Sequence, residues 1–143
     1  MKRATIYRRK KQLLIHASSR TTDGVWILWE PCLAVPETSD DRELQRAIRA
    51  ALDGSRADVP HPRVWKGLLD PLLALAGVKS WNTFSKDASC IEVEEEGFRI
   101  VLIPTKNLGP DEGFQADASR QIALDSASEE LGPVIRRLLT PAA

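Results

Sequence analysis

Cys90-Ile91-Glu92-Val93-Glu94-Glu95-Glu96-Gly97-Phe98-Arg99-Ile100-Val101-Leu102-Ile103-Pro104 is the stretch whose reading decides the fold. Its first part alternates apolar and acidic residues, the period of a strand with one buried and one wetted face, and its second part is nearly continuous apolar. Glu96-Gly97 between them is turn chemistry. The stretch predicts an antiparallel β-hairpin over 90–94 and 98–104.

Upstream of it, Trp81 and Phe84 within Ser80–Ser85 predict a short ordered connection lying on the core. Val64 to Ala76 carries Trp65, Leu68, Leu69, Leu72, Leu73 and Leu75, apolar on nearly every side, which predicts the most buried helix. Pro71 either kinks that helix or starts a shorter one, and Gly77 ends it. Residues 55–63, with Pro60-His61-Pro62, read as an extended loop. Before them, Asp40 followed by Glu43 resembles a capping box, Leu44, Ala47, Ile48, Ala51 and Leu52 share one helical face, and Gly54 is the stop. Residues 4–18 and 24–35 read as two extended segments joined into a hairpin by Thr21-Thr22-Asp23-Gly24. Pro31 and Pro36 place the second of these at a bulge or an edge.

Downstream, residues 105–118 read as a long polar loop and Gln121–Leu124 as a strand. Asp125-Ser126-Ala127-Ser128-Glu129-Glu130 reads as the cap of a last helix with Leu131, Val134, Ile135, Leu138 and Leu139 on its apolar face, and Pro141 as its terminator. Ser39–Leu52 and Ser126–Leu139 match at six of fourteen aligned positions, as two capped amphipathic helices lying on one sheet would. Hairpins without a βαβ rhythm predict an α+β fold: a mainly antiparallel sheet of about five strands with three or so helices against it.

At 143 residues, 43% hydrophobic and 28% charged, the composition is that of a globular chain of one-domain size. Cys32 and Cys90 lack CxxC spacing and companion cysteines, which favours two reduced buried thiols over a disulfide framework or a zinc site. No apolar run reaches the length of a signal peptide or a spanning helix, so a cytoplasmic location is expected. GxSxG, Walker A, GxGxxG and HExxH motifs are all missing, and the histidines, His16 in a strand pattern and His61 between prolines, offer no ligand spacing. No catalytic residue, metal ligand or cofactor is expected.

Twenty basic and twenty acidic residues cancel, but unevenly along the chain. Residues 1–20 hold seven basic residues and no acid, leaving an excess of seven acids in the remainder. Lys2, Arg3, Arg8, Arg9, Lys10 and Lys11 with Tyr7 could grip phosphates, so a small nucleic-acid-binding protein using this basic strand is the alternative function; a basic strand edge also guards against aggregation. Glu92, Glu94, Glu95 and Glu96, with Asp111, Glu112 and Asp117 in the loop, could hold a metal or perform acid–base chemistry in a cleft beneath that loop. Alternation puts Glu92 and Glu94 on one strand face, as at a solvated sheet edge, and an acidic surface for a basic protein partner fits better. Trp26 and Trp29 fall on opposite strand faces, leaving at least one as interface material.

The order of these features resembles the CdiI immunity proteins of bacterial contact-dependent growth inhibition. The resemblance rests on the acidic opening of Ser39–Leu52, Ser55-Arg56, Pro60-His61-Pro62 and Ala76-Gly77-Val78-Lys79-Ser80-Trp81-Asn82-Thr83-Phe84-Ser85-Lys86. It continues through Ile100–Pro104, Gly113-Phe114 and Ser128-Glu129-Glu130-Leu131-Gly132, covering roughly residues 20–140; Gln45 stands in the first helix where the last has Gly132. The resemblance implies one immunity-protein-like domain over 1–143, not an enzyme. It would be a cytosolic antitoxin that binds the C-terminal toxin domain, commonly a nuclease, of a cognate CdiA effector, with no small-molecule substrate, membrane or nucleic-acid partner. Recognition in some relatives implies strand addition to the immunity protein's sheet. The residues expected at the toxin interface are Glu92, Glu94, Glu95, Glu96, Asp111 and Glu112, with Trp29 as an anchor.

Overall fold

The computed structural model describes residues 1–140. β1 (Lys2–Arg9), β2 (Gln12–Arg20) and β3 (Trp26–Pro36) precede α1 (Asp41–Gly54), α2 (Asp70–Ala76) and α3 (Trp81–Lys86). β4 (Ala88–Glu96), β5 (Arg99–Asn107), β6 (Phe114–Ala116), β7 (Ile122–Asp125) and α4 (Leu131–Leu139) complete the described chain. All seven strands join one antiparallel sheet in the order β3-β2-β1-β4-β5, with β7 and β6 side by side along the outer edge of β5. An α+β fold with helices on an antiparallel sheet is thus what forms, with more strands than the five expected.

The additional strands have identifiable origins. Residues 4–18 are not one strand but a hairpin, β1–β2, whose two-residue turn is Lys10-Lys11 with Lys10 at φ 55°. A lysine in the left-handed region gives no turn signal of the kind glycine or asparagine gives, so the break is silent in sequence. In the β4–β5 hairpin the glycine does signal: Glu96 pairs with Arg99, and Gly97 sits at φ 60° in the intervening turn. The polar stretch 105–118 is in part ordered as the end of β5 and as β6, because Thr105, Lys106 and Asn107 pair with Ala116, Gln115 and Phe114.

Two apolar layers sandwich the sheet. On one face Ala4, Ile6, Leu13, Ile15, Ile91, Val93, Ile100 and Leu102 meet Leu44, Ala47, Ile48, Ala51 and Leu52 of α1 and Leu131, Val134, Ile135 and Leu139 of α4. Each fully buried Leu or Ile there is worth about 1.5–3 kcal/mol. The two helices with the shared sequence pattern therefore lie on the same face. Asp40 caps α1 as read, accepting from the Glu43 amide at 2.8 Å. The acids before α4 do not cap it: the helix starts at Leu131 with no side-chain cap, and Asp125 and Ser128 instead close local turns onto Ala127 and Glu130. Arg136 ties the helices together by donating to Asp41 Oδ1 and to the Glu37 carbonyl. Pro141, read as the terminator of this helix, lies outside the described residues.

On the opposite face Tyr7, Leu14 and Cys90 pack with Leu72 and Phe84, brought by α2 and α3. The segment read as the most buried helix is the least so. Only Asp70–Ala76 is helical, Pro71 starts it, and Leu72 is its one buried residue. Val64 and Trp65 remain 70% and 49% exposed. Apolar residues on every side predict full burial, whereas the helix lies on a partly covered sheet face. Ser80–Ser85 proves helical, with the Ser80 hydroxyl accepting from the Thr83 amide. Cys32 and Cys90 are both free thiols, the first half-buried and the second buried.

Candidate functional site

α2 and α3 cover only the end of their sheet face that carries Tyr7, Leu14 and Cys90. Beyond Tyr7 the period of two presents Thr5 and Arg3 from β1, and the register sets His16 and Glu92 on either side of Thr5 and Ser18 and Glu94 on either side of Arg3. Polar side chains from the three central strands thus share an otherwise apolar sheet face. All of these except Glu94 line, with Trp26 and Leu28 of β3 and Leu69 ahead of α2, a recess of about 260 Å³.

The recess holds an ordered polar network. The Thr5 hydroxyl donates to Glu92 Oε2 at 2.7 Å and lies 3.3 Å from the Ser18 hydroxyl. Arg3 Nε sits 3.4 Å from Glu92 Oε2, and its guanidinium stands 5.5 Å from the centre of the Trp26 ring. Burial pushes the Glu92 carboxyl above the usual carboxylate range, with Arg3 and the Thr5 hydrogen bond acting against it. His16 is 4% exposed, and burial lowers its pKa to about 4, so the ring is neutral near pH 7. A carbonyl oxygen can only accept, so Nδ1, 2.7 Å from the Ala17 oxygen, carries the proton and donates it. Nε2 is then a bare acceptor, and it has no partner among the described residues. His16, placed in a strand as its pattern predicts, is thus hydrogen-bonded at only one ring nitrogen.

The seven residues expected at an interface do not form one patch. Glu92 and Glu94 lie on this partly open face of β4, half-buried. They are in the middle of the sheet rather than at its edge. Glu95 points to the other face, where Arg49 of α1 grips both its oxygens at 2.7 and 2.5 Å; that bond holds its carboxyl below the usual range and raises the arginine pKa. Glu96 is exposed at the hairpin end, 3.5 Å from the terminal amine. Asp111 and Glu112 are exposed in the β5–β6 loop, beyond the Ala88 end of β4, about 25 Å from Glu96 at the rise of a strand. Trp29 lies on the far edge strand, lining a separate groove of about 470 Å³ with Cys32, Leu68 and Pro71.

The basic N-terminus is equally dispersed by pairing. Because β1 runs against β4, Arg3 meets Glu92, while Lys2 reaches Asp53 and Arg8 reaches Glu37. Arg9 and Tyr7 are buried, and Lys10 and Lys11 stand exposed at the turn. A larger recess, about 490 Å³ along α1, is lined by Arg42, Arg46 and Arg49 among others. Arg42 and Arg46 there are exposed and Arg49 is already bound to Glu95. The smaller recess is the better candidate because Thr5, His16 and Ser18 in it are buried and two of its polar atoms, His16 Nε2 and Arg3 Nε, make no hydrogen bond among the described residues. Among the described residues no cluster of His, Cys, Asp and Glu could hold a metal ion, and no helix is long and apolar enough to cross a membrane.

Sequence reasoning missed Thr5, His16 and Ser18. The signal was the polar run at every second position, Arg3-Thr5-Tyr7 and His16-Ser18. It becomes legible only after residues 4–18 are split at Lys10-Lys11 into two strands that face each other.

No protein-family model matches the chain, and no curated protein matches it. Solved structures do. A Neisseria meningitidis protein of unknown function superposes with a TM-score of 0.78 at 16% identity, over 96% of this chain and 93% of that one. A chain of a CdiA-CT/CdiI toxin and immunity complex from Yersinia pseudotuberculosis superposes with a TM-score of 0.74 at 17% identity, over 96% and 94%. At such identities the likeness is one of fold, and it spans essentially the whole length of each chain.

Proposed function

We propose that this chain is an immunity protein, a non-enzymatic antitoxin that binds and neutralises the C-terminal toxin domain of a cognate CdiA effector. The observation that carries the reading is the whole-length likeness to a chain of a toxin and immunity complex. The motifs from Ala76 to Lys86 and Ser128 to Gly132 support it independently, since they resemble the CdiI family in sequence order. The partly open sheet face supports it as well, offering half-buried acids and aromatic surface rather than an enclosed catalytic cleft.

The toxin is a nuclease in this reading. An enzyme that holds phosphate presents a basic face, and acids on the inhibitor speed and select the encounter. Glu92, Glu94 and Glu96 on β4 are the acids aligned for such contact, with Asp111, Glu112 and Trp29 as outlying contacts. Glu95 contributes by anchoring Arg49 rather than by touching the partner. The protein acts in the cytoplasm, where an incoming toxin would meet its substrate.

Co-expression with the toxin domain encoded immediately upstream tests the reading. The expected result is a stoichiometric complex that survives co-purification and cells that grow despite the toxin. Loss of growth together with failure to co-purify would overturn it. Within a positive result, the double substitution Glu94→Lys and Glu96→Lys should slow association about tenfold or more at low salt.

A further inference from the structure

We propose that the recess between β1, β2 and β4 is a socket for one cationic side chain, a lysine or arginine presented by the protein partner. The inference rests on the immunity reading for the identity of that partner, but its physical grounds lie in the recess itself.

Size comes first. Small-molecule sites occupy about 300–1,000 Å³, whereas this recess measures about 260 Å³. It suits a single long side chain better than a metabolite. The chemistry of the lining then selects the charge. His16 Nε2 is a buried acceptor with no donor opposite it. Glu92 supplies a carboxylate of which one oxygen, Oε2, takes the Thr5 hydroxyl and lies near Arg3; among the described residues no hydrogen bond engages Oε1. Glu94 stands one alternation further along β4, opposite Arg3. Glu92 and Arg3 are the one carboxylate and the one cation of the lining, and Arg3 Nε, like His16 Nε2, makes no hydrogen bond among the described residues; Glu94, opposite Arg3 but outside the lining, tips the local charge to negative. A guest with N–H donors and positive charge meets the free Glu92 oxygen, and Glu94 beyond the lining adds attraction.

The walls suit the rest of such a guest. Leu28, Leu69 and the Trp26 ring are the apolar surface along which the methylene stem of a lysine or arginine packs while its head reaches polar groups. An anionic guest would meet the Glu92 carboxylate with Glu94 close by opposite Arg3, and an apolar guest would leave the free Glu92 oxygen without a partner, which costs more than it gains.

The closing experiment measures affinity for the upstream-encoded toxin domain by calorimetry, and adds a probe that needs no toxin. Glu92→Gln keeps the shape and the Thr5 hydrogen bond but removes the charge. It should weaken toxin binding about 10–100-fold, mainly through faster dissociation. Glu129→Gln, exposed before α4, should leave affinity unchanged. In parallel, ethylguanidinium and n-butylammonium chloride are titrated into wild-type protein at constant ionic strength. Saturable shifts of the Trp26 indole and His16 imidazole resonances are expected at concentrations on the order of 10 mM, and their loss in Glu92→Gln. Equal toxin affinity for wild type and Glu92→Gln overturns the socket while leaving the immunity reading intact. The absence of any saturable shift with both cations also overturns it. Shifts without toxin binding by the wild type keep the socket and overturn the immunity reading instead.

Discussion

Acidification from pH 7 to about 4.5 probes whether His16 is held neutral in the fold. The ring is 4% exposed, and burial lowers its pKa from 6.5 to about 4, opposed in part by the hydrogen bond to Ala17. The folded value lies below the unfolded one, so between them the unfolded chain binds the extra proton, and stability falls as pH drops through that window. At about 1.4 kcal/mol per pH unit, the span from 6.5 to about 4 corresponds to about 3 kcal/mol, most of it lost by pH 4.5. Two carboxylates act lower or in the other sense. Glu95, held down by Arg49, loses its contribution only as pH falls through its depressed folded value, and Glu92, raised by burial, is favoured in the fold by protonation. Comparison with His16→Phe isolates the histidine. Urea unfolding followed by tryptophan fluorescence at several pH values should show the wild type losing about 2–3 kcal/mol more than the variant between about pH 7 and 4.5. The His16 imidazole should titrate near pH 4 by NMR. Parallel stability profiles for the two proteins, or a His16 that titrates near 6.5, would refute the assignment of a buried neutral ring.

Arg49→Ala leaves Glu95 at 8% side-chain exposure without its bidentate partner. The arginine is itself 42% exposed, so the cost should be nearer about 2 kcal/mol than the about 3–5 of a fully buried pair, and chemical denaturation will read it. Gly54→Ala would place a Cβ 2.6 Å from Pro31 Cδ and 2.7 Å from the Glu30 carbonyl oxygen. A backbone carbonyl cannot swing aside as a side chain can, so about 1–3 kcal/mol should be lost and thermal unfolding should shift down by several degrees.

The fold was legible where local rules and tertiary demands agree. Asp40, the apolar stripe from Leu44 to Leu52 and the Gly97 turn each carry their own signal, because capping, helical periodicity and positive φ act over a few residues. It was illegible where the chain did something its residues do not announce. Lys10 turns at positive φ without glycine, and the acids ahead of Leu131 look like a cap but close turns instead. Trp65 and Val64 read as core because an all-apolar pattern carries no information about how much sheet lies beneath it. Thr5, His16 and Ser18 are each unremarkable alone and become a site only when register sets β1 between β2 and β4.

Charge shows the same division. The amino-acid order alone determined an α+β antiparallel architecture, two matching amphipathic helices, and a basic first twenty residues set against an acid-rich remainder. From that order the remainder looked like the acidic surface a partner would meet. Only the tertiary structure decided how those charges meet, since pairing β1 antiparallel to β4 brings Lys2, Arg3 and the terminal amine against Glu95, Glu92 and Glu96. Segregation along the chain becomes neutralisation in space, because Coulomb attraction acts on distance and not on sequence separation. What survives is local: one recess that gathers Glu92, Arg3 and a buried imidazole, fixed by strand register that no single segment encodes.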